Sequence, residues 1–109
     1  MSDSEMCPNW HPVAACRELD EGTAIERLVA GRIVAIFRTG GRLYAMDGMC
    51  AHQGGPLADG LVADGCVTCP WHGWQYTLDE GIQTVNRQPL QETFEVRERE
   101  GMIEVRLER

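Results

Sequence analysis

With 109 residues, 43% of them apolar and 25% charged, the chain has the composition of an ordinary soluble globular protein, with length for one modest core. Its formal net charge is −7 and its ten basic residues are all arginines, which excludes a nucleic-acid partner, because phosphates demand a basic face. No apolar run approaches a membrane span, so no membrane association is expected.

The N-terminus, Met1-Ser2-Asp3-Ser4-Glu5, is acidic where a secretory signal is basic and then apolar, so the expectation is a cytoplasmic protein with a flexible tail over residues 1–9. Turn signals then recur along the chain, at Asp20-Glu21-Gly22, Ala30-Gly31, Gly40-Gly41, Asp59-Gly60, Asp64-Gly65, Glu80-Gly81 and Glu100-Gly101. The segments between them are short, rich in β-branched and aromatic residues, and show no sustained helical period. Arg32 to Thr39 and Arg42 to Asp47, bracketed by Gly31 and Gly40-Gly41, predict a hairpin whose first strand holds the longest apolar run, Ile33 to Phe37. A second hairpin is predicted near the end. Phe94 and Val96, then Ile103, Val105 and Leu107, alternate with charged residues around a turn at Glu100-Gly101. The fold class is all-β, a small antiparallel sandwich or barrel in a single domain over 1–109. From about Gly48 to Gly81 the apolar period weakens and glycine, proline, cysteine and histidine crowd together, which marks loops held out by the strands as the place of function.

Five cysteines without a signal peptide point to metal or redox chemistry rather than a disulfide framework. Two loops carry the candidate ligands: Cys50-Ala51-His52-Gln53-Gly54-Gly55-Pro56-Leu57 and Cys69-Pro70-Trp71-His72-Gly73-Trp74-Gln75-Tyr76. Each offers one thiolate and one imidazole, and glycines suit a backbone that wraps tightly with positive φ. Three explanations compete. The residues are unrelated to metal, or they form a structural Cys₂His₂ zinc site, or they hold a [2Fe–2S] cluster in which two histidines replace two cysteines on one iron. Zinc sites of that type usually pair their cysteines and carry histidines on a helix; here each loop mixes the two ligand types and no helix follows.

These loops resemble the Rieske family signature Cys-x-His…Cys-x-x-His, and the likeness extends from about Trp10 to Leu107. The resemblance implies one [2Fe–2S] cluster per chain, with Cys50 and Cys69 on the buried iron and His52 and His72 on the outer iron. It also implies a two-loop cluster-binding subdomain over 48–81 on a larger β base. Gly55 and Trp71 stand where quinol-oxidising members have a pair of disulfide-forming cysteines, and Trp74 stands where those members have a serine that donates to a sulfide. Tyr76, whose counterpart donates to a cysteine sulfur, is retained. Fewer hydrogen bonds to sulfur imply the low end of the family's potentials, on the order of −150 mV. Exposed histidine ligands further imply a potential that falls with pH above their oxidised-state pKa.

Cys66, three residues before Cys69, reads as a small buried thiol in a strand entering the second loop. Cys7 in the tail, Cys16 near the first strand, and His11 have no partner at ligand spacing. Trp74 is expected to shield the cluster and Trp71, at a loop apex, to dock.

A cluster alone moves one electron and does no substrate chemistry. With three histidines in the chain, two of them committed, no mononuclear iron site remains, and no Gly-x-Gly-x-x-Gly supplies a nucleotide domain. Donor and acceptor must therefore be separate proteins, and the chain is an electron-transfer component rather than a catalyst. The expected role is a monomeric carrier from a flavin- or NAD(P)H-linked reductase to an oxygenase-type acceptor. It would dock through His52, Gln53, Gly54, Pro70, Trp71 and His72. The alternative is the small Rieske subunit of an NAD(P)H nitrite reductase; a non-redox domain that keeps the fold without the cluster is a third reading. The acidic charge suits steering onto a basic partner surface, and suits plain solubility equally well.

Overall fold

The computed structural model describes residues 10–51, 54–71 and 73–107. The expected tail over 1–9 lies outside them, as do Cys7, His52, Gln53 and His72. Nine strands run through the described residues, with two short 3₁₀ turns and no α-helix among them: β1 Trp10–Ala15, β2 Thr23–Val29, β3 Arg32–Thr39, β4 Arg42–Asp47, β5 Leu61–Ala63, β6 Cys66–Thr68, β7 Gln75–Thr77, β8 Thr93–Arg99 and β9 Met102–Arg106. All pairings are antiparallel. Six strands form one sheet in the order β1-β9-β8-β4-β3-β2, and β5-β6-β7 form a second.

Both predicted hairpins are present with the expected turns, β3–β4 and β8–β9. The sheet curls so that its two end strands approach. The Arg27 Nε on β2 donates to the Val13 carbonyl on β1 at 3.0 Å, which ties the edges into a near-barrel. Pro12 is tolerated in β1 because β1 is an edge strand, and the register shifts there, between Pro12 and Ala14.

The apolar run in β3 has a physical explanation beyond a single buried face. Val34 and Ile36 point into the curled sheet with Leu19, Ala45, Phe94, Ile103 and Val105. Ala35 and Phe37 point the opposite way, into a second cluster with Met46, Leu57, Val67, Tyr76 and Leu78. A strand buried on both faces loses its alternation and reads as continuous apolar sequence. The strand β3 is thus a wall shared by the base and the three-stranded sheet. That second cluster also contains Cys50 and Cys69, so the core that joins the two layers ends at the two ligand-bearing loops.

Candidate metal centre

Cys50 lies three residues past the end of β4, and Cys69 immediately follows β6. Both are 3% exposed and belong to one packed cluster. The two loops share a backbone plan. The Cys50 carbonyl accepts the Gly54 amide at 2.7 Å, and the Cys50 amide donates to the Gly55 carbonyl at 2.8 Å. In the second loop the Cys69 carbonyl accepts the Gly73 amide at 3.1 Å, and the Cys69 amide donates to the Trp74 carbonyl at 2.7 Å. Each loop is closed by a hydrogen bond from the amide four residues after its cysteine and by a left-handed residue, Gly54 at φ +79° and Gly73 at φ +76°. The glycine four residues after each cysteine is what lets the chain turn back, and the sequence displays that spacing in both loops.

Four described side chains join the two cysteines at the site. Tyr76, fully buried in β7, places its Oη 3.1 Å from the Cys50 Sγ, as the family resemblance implies. A Cβ on Gly55 would lie 2.8 Å from the Cys69 Sγ and 3.0 Å from Cγ and Cδ2 of Trp71, so the sulfur and the indole occupy the space any other residue would need. Trp71 therefore crosses from the second loop onto the first while remaining 56% exposed, consistent with a docking role. Trp74 packs against the cluster that contains the cysteines, which fits its expected shielding role. Gln91 has no counterpart in the sequence reading. Its buried side chain bonds the backbone of the first loop, and no motif or period announces a glutamine of that kind.

The remaining described cysteines are held as thiols. Burial pushes the Cys66 thiol up, and the nearby Asp64 and Asp79 carboxylates add to the effect. Cys66 lies three residue steps along the chain before Cys69, about 10 Å of strand, which removes it from the loop. Burial and a hydrogen bond to Glu98 push the Cys16 thiol up likewise, in the turn after β1. His11 sits within β1, half-buried opposite Val105. Charge is also distributed unevenly. The stretches 48–58, 65–78 and 81–91, which make or touch the two loops, contain a single charged residue, Arg87.

The described residues fit the cysteine half of a metal cluster site. Two buried sulfurs sit in one apolar pocket, a hydroxyl donor reaches one of them, and a glycine leaves room beside the other. A zinc-finger arrangement, with histidines carried on a helix after paired cysteines, is not what these strands and loops build.

Comparison with known proteins agrees with this chemistry. Residues 9–96 match the family described as the Rieske [2Fe-2S] domain. The chain is 34% identical to the anthranilate 1,2-dioxygenase ferredoxin subunit of Burkholderia cepacia, over 88% of this chain and 90% of that protein. It is 33% identical to the terminal oxygenase component of carbazole 1,9a-dioxygenase from Sphingomonas sp, over 87% of this chain but 28% of that protein. Among solved structures it is similar to the ferredoxin of carbazole 1,9a-dioxygenase from Nocardioides aromaticivorans, with TM-score 0.84, 22% identity, and coverage of 92% of this chain and 99% of that one. A chain in the complex of reduced oxygenase and oxidized ferredoxin of carbazole 1,9a-dioxygenase matches with TM-score 0.82 and 26% identity, covering 92% of this chain and 94% of that one.

Proposed function

The chain belongs to the Rieske [2Fe-2S] domain family, and from that premise we propose that it is the ferredoxin of an oxygenase system, carrying single electrons from a reductase to a terminal oxygenase. The observation that carries the reading is the matched pair of loops, which bring Cys50 and Cys69 together, buried, with the Tyr76 hydroxyl on the Cys50 sulfur. The relatives named above are ferredoxin and oxygenase components, and the nitrite reductase alternative is not supported.

Cys50, His52, Cys69 and His72 would hold the [2Fe–2S] cluster, the cysteines on one iron and the histidines on the other, as the family signature implies. When bound, the cluster supplies one reversible one-electron redox step. The chain's own residues set the conditions of that step. The apolar packing around Cys50 and Cys69 excludes water from the sulfurs. The Tyr76 hydroxyl lies 3.1 Å from the Cys50 sulfur and, with that sulfur bound to iron, would donate to it and favour the more negative reduced state. The two glycine-closed turns hold the ligand-bearing backbone in place, so little reorganisation accompanies electron gain. Trp71, exposed beside Gly54, Gly55 and Pro70, offers an apolar surface for transient contact with the partner. No helix among the described residues is long and apolar enough to cross a membrane. The working location is the cytoplasm and the working form a monomer.

Anaerobic purification followed by a reductive titration under EPR and visible spectroscopy tests this reading. The expected result is a rhombic reduced signal with the average g of a nitrogen-ligated [2Fe–2S] centre and a potential below zero. That signal should vanish in Cys50→Ser, Cys69→Ser, His52→Ala and His72→Ala. A colourless protein with bound zinc would overturn the assignment, and a potential well above zero would overturn the oxygenase role.

A further inference from the structure

We infer that Gln91 is the positioning residue of the first cluster loop, a side chain that takes the place of a neighbouring strand where the sheet has ended. The inference rests on the ligand assignment proposed above.

The ladder between β4 and β8 consists of two pairs, Ala45↔Phe94 and Met46↔Thr93. Beyond Met46 the chain leaves that ladder and turns outward into the loop that bears Cys50. Its backbone groups still require partners, because buried peptide groups left unpaired are costly. Gln91 supplies them. Its Nε2 donates to the Asp47 carbonyl at 2.8 Å and to the Met49 carbonyl at 2.6 Å, while its Oε1 accepts the Ala51 amide at 2.9 Å. One carboxamide thereby presents both of its donors and one acceptor to three alternate residues of a single segment, as an adjacent strand would. Cys50 lies between two of these contacts, and Ala51 lies between Cys50 and His52.

Gln91 is itself fixed. It is 3% exposed, and its own amide donates to the Gly81 carbonyl at 3.1 Å, in the segment that follows β7. The next residue, Glu92, accepts the Asp47 amide through its carbonyl at 2.8 Å. The strand β7 in turn begins one residue after Trp74, where the second loop closes. The main chain of the first loop is therefore referenced, through the Gln91 side chain, to the segment that follows the strand leaving the second loop. Two cysteines that share one small cluster need a fixed separation; Tyr76 reaches the Cys50 sulfur from that same strand, and Gln91 fixes the backbone that carries it. No hydrophobic residue of equal volume does this, since the contacts are directional and all fall on main-chain atoms.

The test uses the holoprotein and three variants: Gln91→Leu, which keeps the volume and removes the amide; Gln91→Asn, which keeps the amide but shortens its reach; and Gln88→Ala as a surface control in the same segment. Three quantities are read: the rate of cluster bleaching by a chelator, the reduction potential with the reduced EPR g values, and hydrogen exchange of the peptide spanning 47–51. Gln91→Leu should bleach at least about tenfold faster, the range typical of lost outer-shell contacts. Its g values and potential should move, and exchange in 47–51 should accelerate while exchange in β3 stays as in the parent. Gln91→Asn should fall between the two, and Gln88→Ala should match the parent. If Gln91→Leu does not fold, the Gln91→Asn measurements decide alone. A loaded variant with parental bleaching, potential and exchange overturns this inference and leaves the carrier reading standing. A parent protein that assembles no [2Fe–2S] cluster overturns the carrier reading, and this inference with it.

Discussion

Replacing Tyr76 by Phe removes the hydroxyl that reaches the Cys50 sulfur. The ring is fully buried among Ala35, Phe37, Met46, Leu57 and Val67, so Phe retains the packing and removes one oxygen that lies 3.1 Å from the Cys50 Sγ. A hydrogen bond to a charged group contributes about 1.5–3 kcal/mol. The potential reports only the part that differs between the two redox states. The reduced state carries one more negative charge shared over the cluster and its ligands, and a difference of about 1 kcal/mol is reasonable against that total. For a one-electron couple, about 1.4 kcal/mol corresponds to about 59 mV, so Tyr76→Phe should lower the potential by about 40 mV. Spectroelectrochemical titration of both proteins at one pH and ionic strength measures the difference, and thermal unfolding confirms that the fold is kept. A potential that stays put or rises would refute the reasoning, since it would mean the hydroxyl does not favour the reduced site.

Gly55→Ala should impair cluster retention, because its Cβ would come 2.8 Å from the Cys69 Sγ and 3.0 Å from the Trp71 ring. Overpacking of this kind costs about 1–3 kcal/mol, and a sulfur committed to iron has little freedom to move aside. Adding Trp71→Ala removes the ring contact but not the sulfur contact, so iron content in the double variant should recover only in part; full recovery would show that the sulfur is not the obstacle. The Arg38–Glu98 pair gives a pH-dependent test. The Arg38 guanidinium, 2.6 Å away, and then the Cys16 thiol hold the Glu98 carboxyl below its usual pKa. A depressed carboxylate pKa stabilises the fold above the unfolded-state value, and that stabilisation is lost as pH falls through the folded-state value. Glu98→Gln should therefore be less stable than the parent at neutral pH by under about 1 kcal/mol, since Glu98 is half exposed. The gap measured by denaturant unfolding should close in acid; a gap that persists or widens there would contradict the pairing.

The sequence made the site legible wherever a residue type and a spacing carried the chemistry. Cys50 and Cys69 were marked by their matched loops, the loop glycines by the positive φ that a tight wrap needs, and Tyr76 by family resemblance; that Gly54 and Gly73 close the turns four residues after each cysteine came from the structure. The β3–β4 and β8–β9 hairpins were legible because each joins patterned segments across a glycine turn. What stayed hidden depends on contacts remote in sequence. The apolar run in β3 announced a strand but not its two buried faces, because burial on both sides erases the alternation that would reveal either one. The expected subdomain boundary at Gly81 reflected a change in composition. The structure folds residues 82–91 back on themselves through the Ile82↔Pro89 bridge, joins them to β7 through the Tyr76↔Gln83 bridge, and brings them against the first loop through the Gln91 side chain. A glutamine that substitutes for a strand gives no periodic signal, since its partners lie about forty residues earlier and are all backbone atoms.

The placement of charge bears on how such a carrier meets its partners. A net charge of −7 suggested steering onto a basic surface, yet the residues that form and flank the two loops carry no carboxylate. The acidic groups begin at Asp47, Asp59, Asp64, Asp79, Glu80 and Glu92, at the borders of those stretches. Within them stand Arg87 and four exposed apolar side chains, Met49, Trp71, Val85 and Leu90. Surface charges are felt over about 8–10 Å at physiological salt, so the carboxylates act on approach and orientation more than on the contact itself. A contact made from an indole, a thioether and short aliphatic side chains releases water without burying a fixed charge, which avoids the desolvation cost of an unpaired ion. Separating the charge that guides from the surface that touches suits a carrier that must bind two different proteins in turn and leave each one quickly.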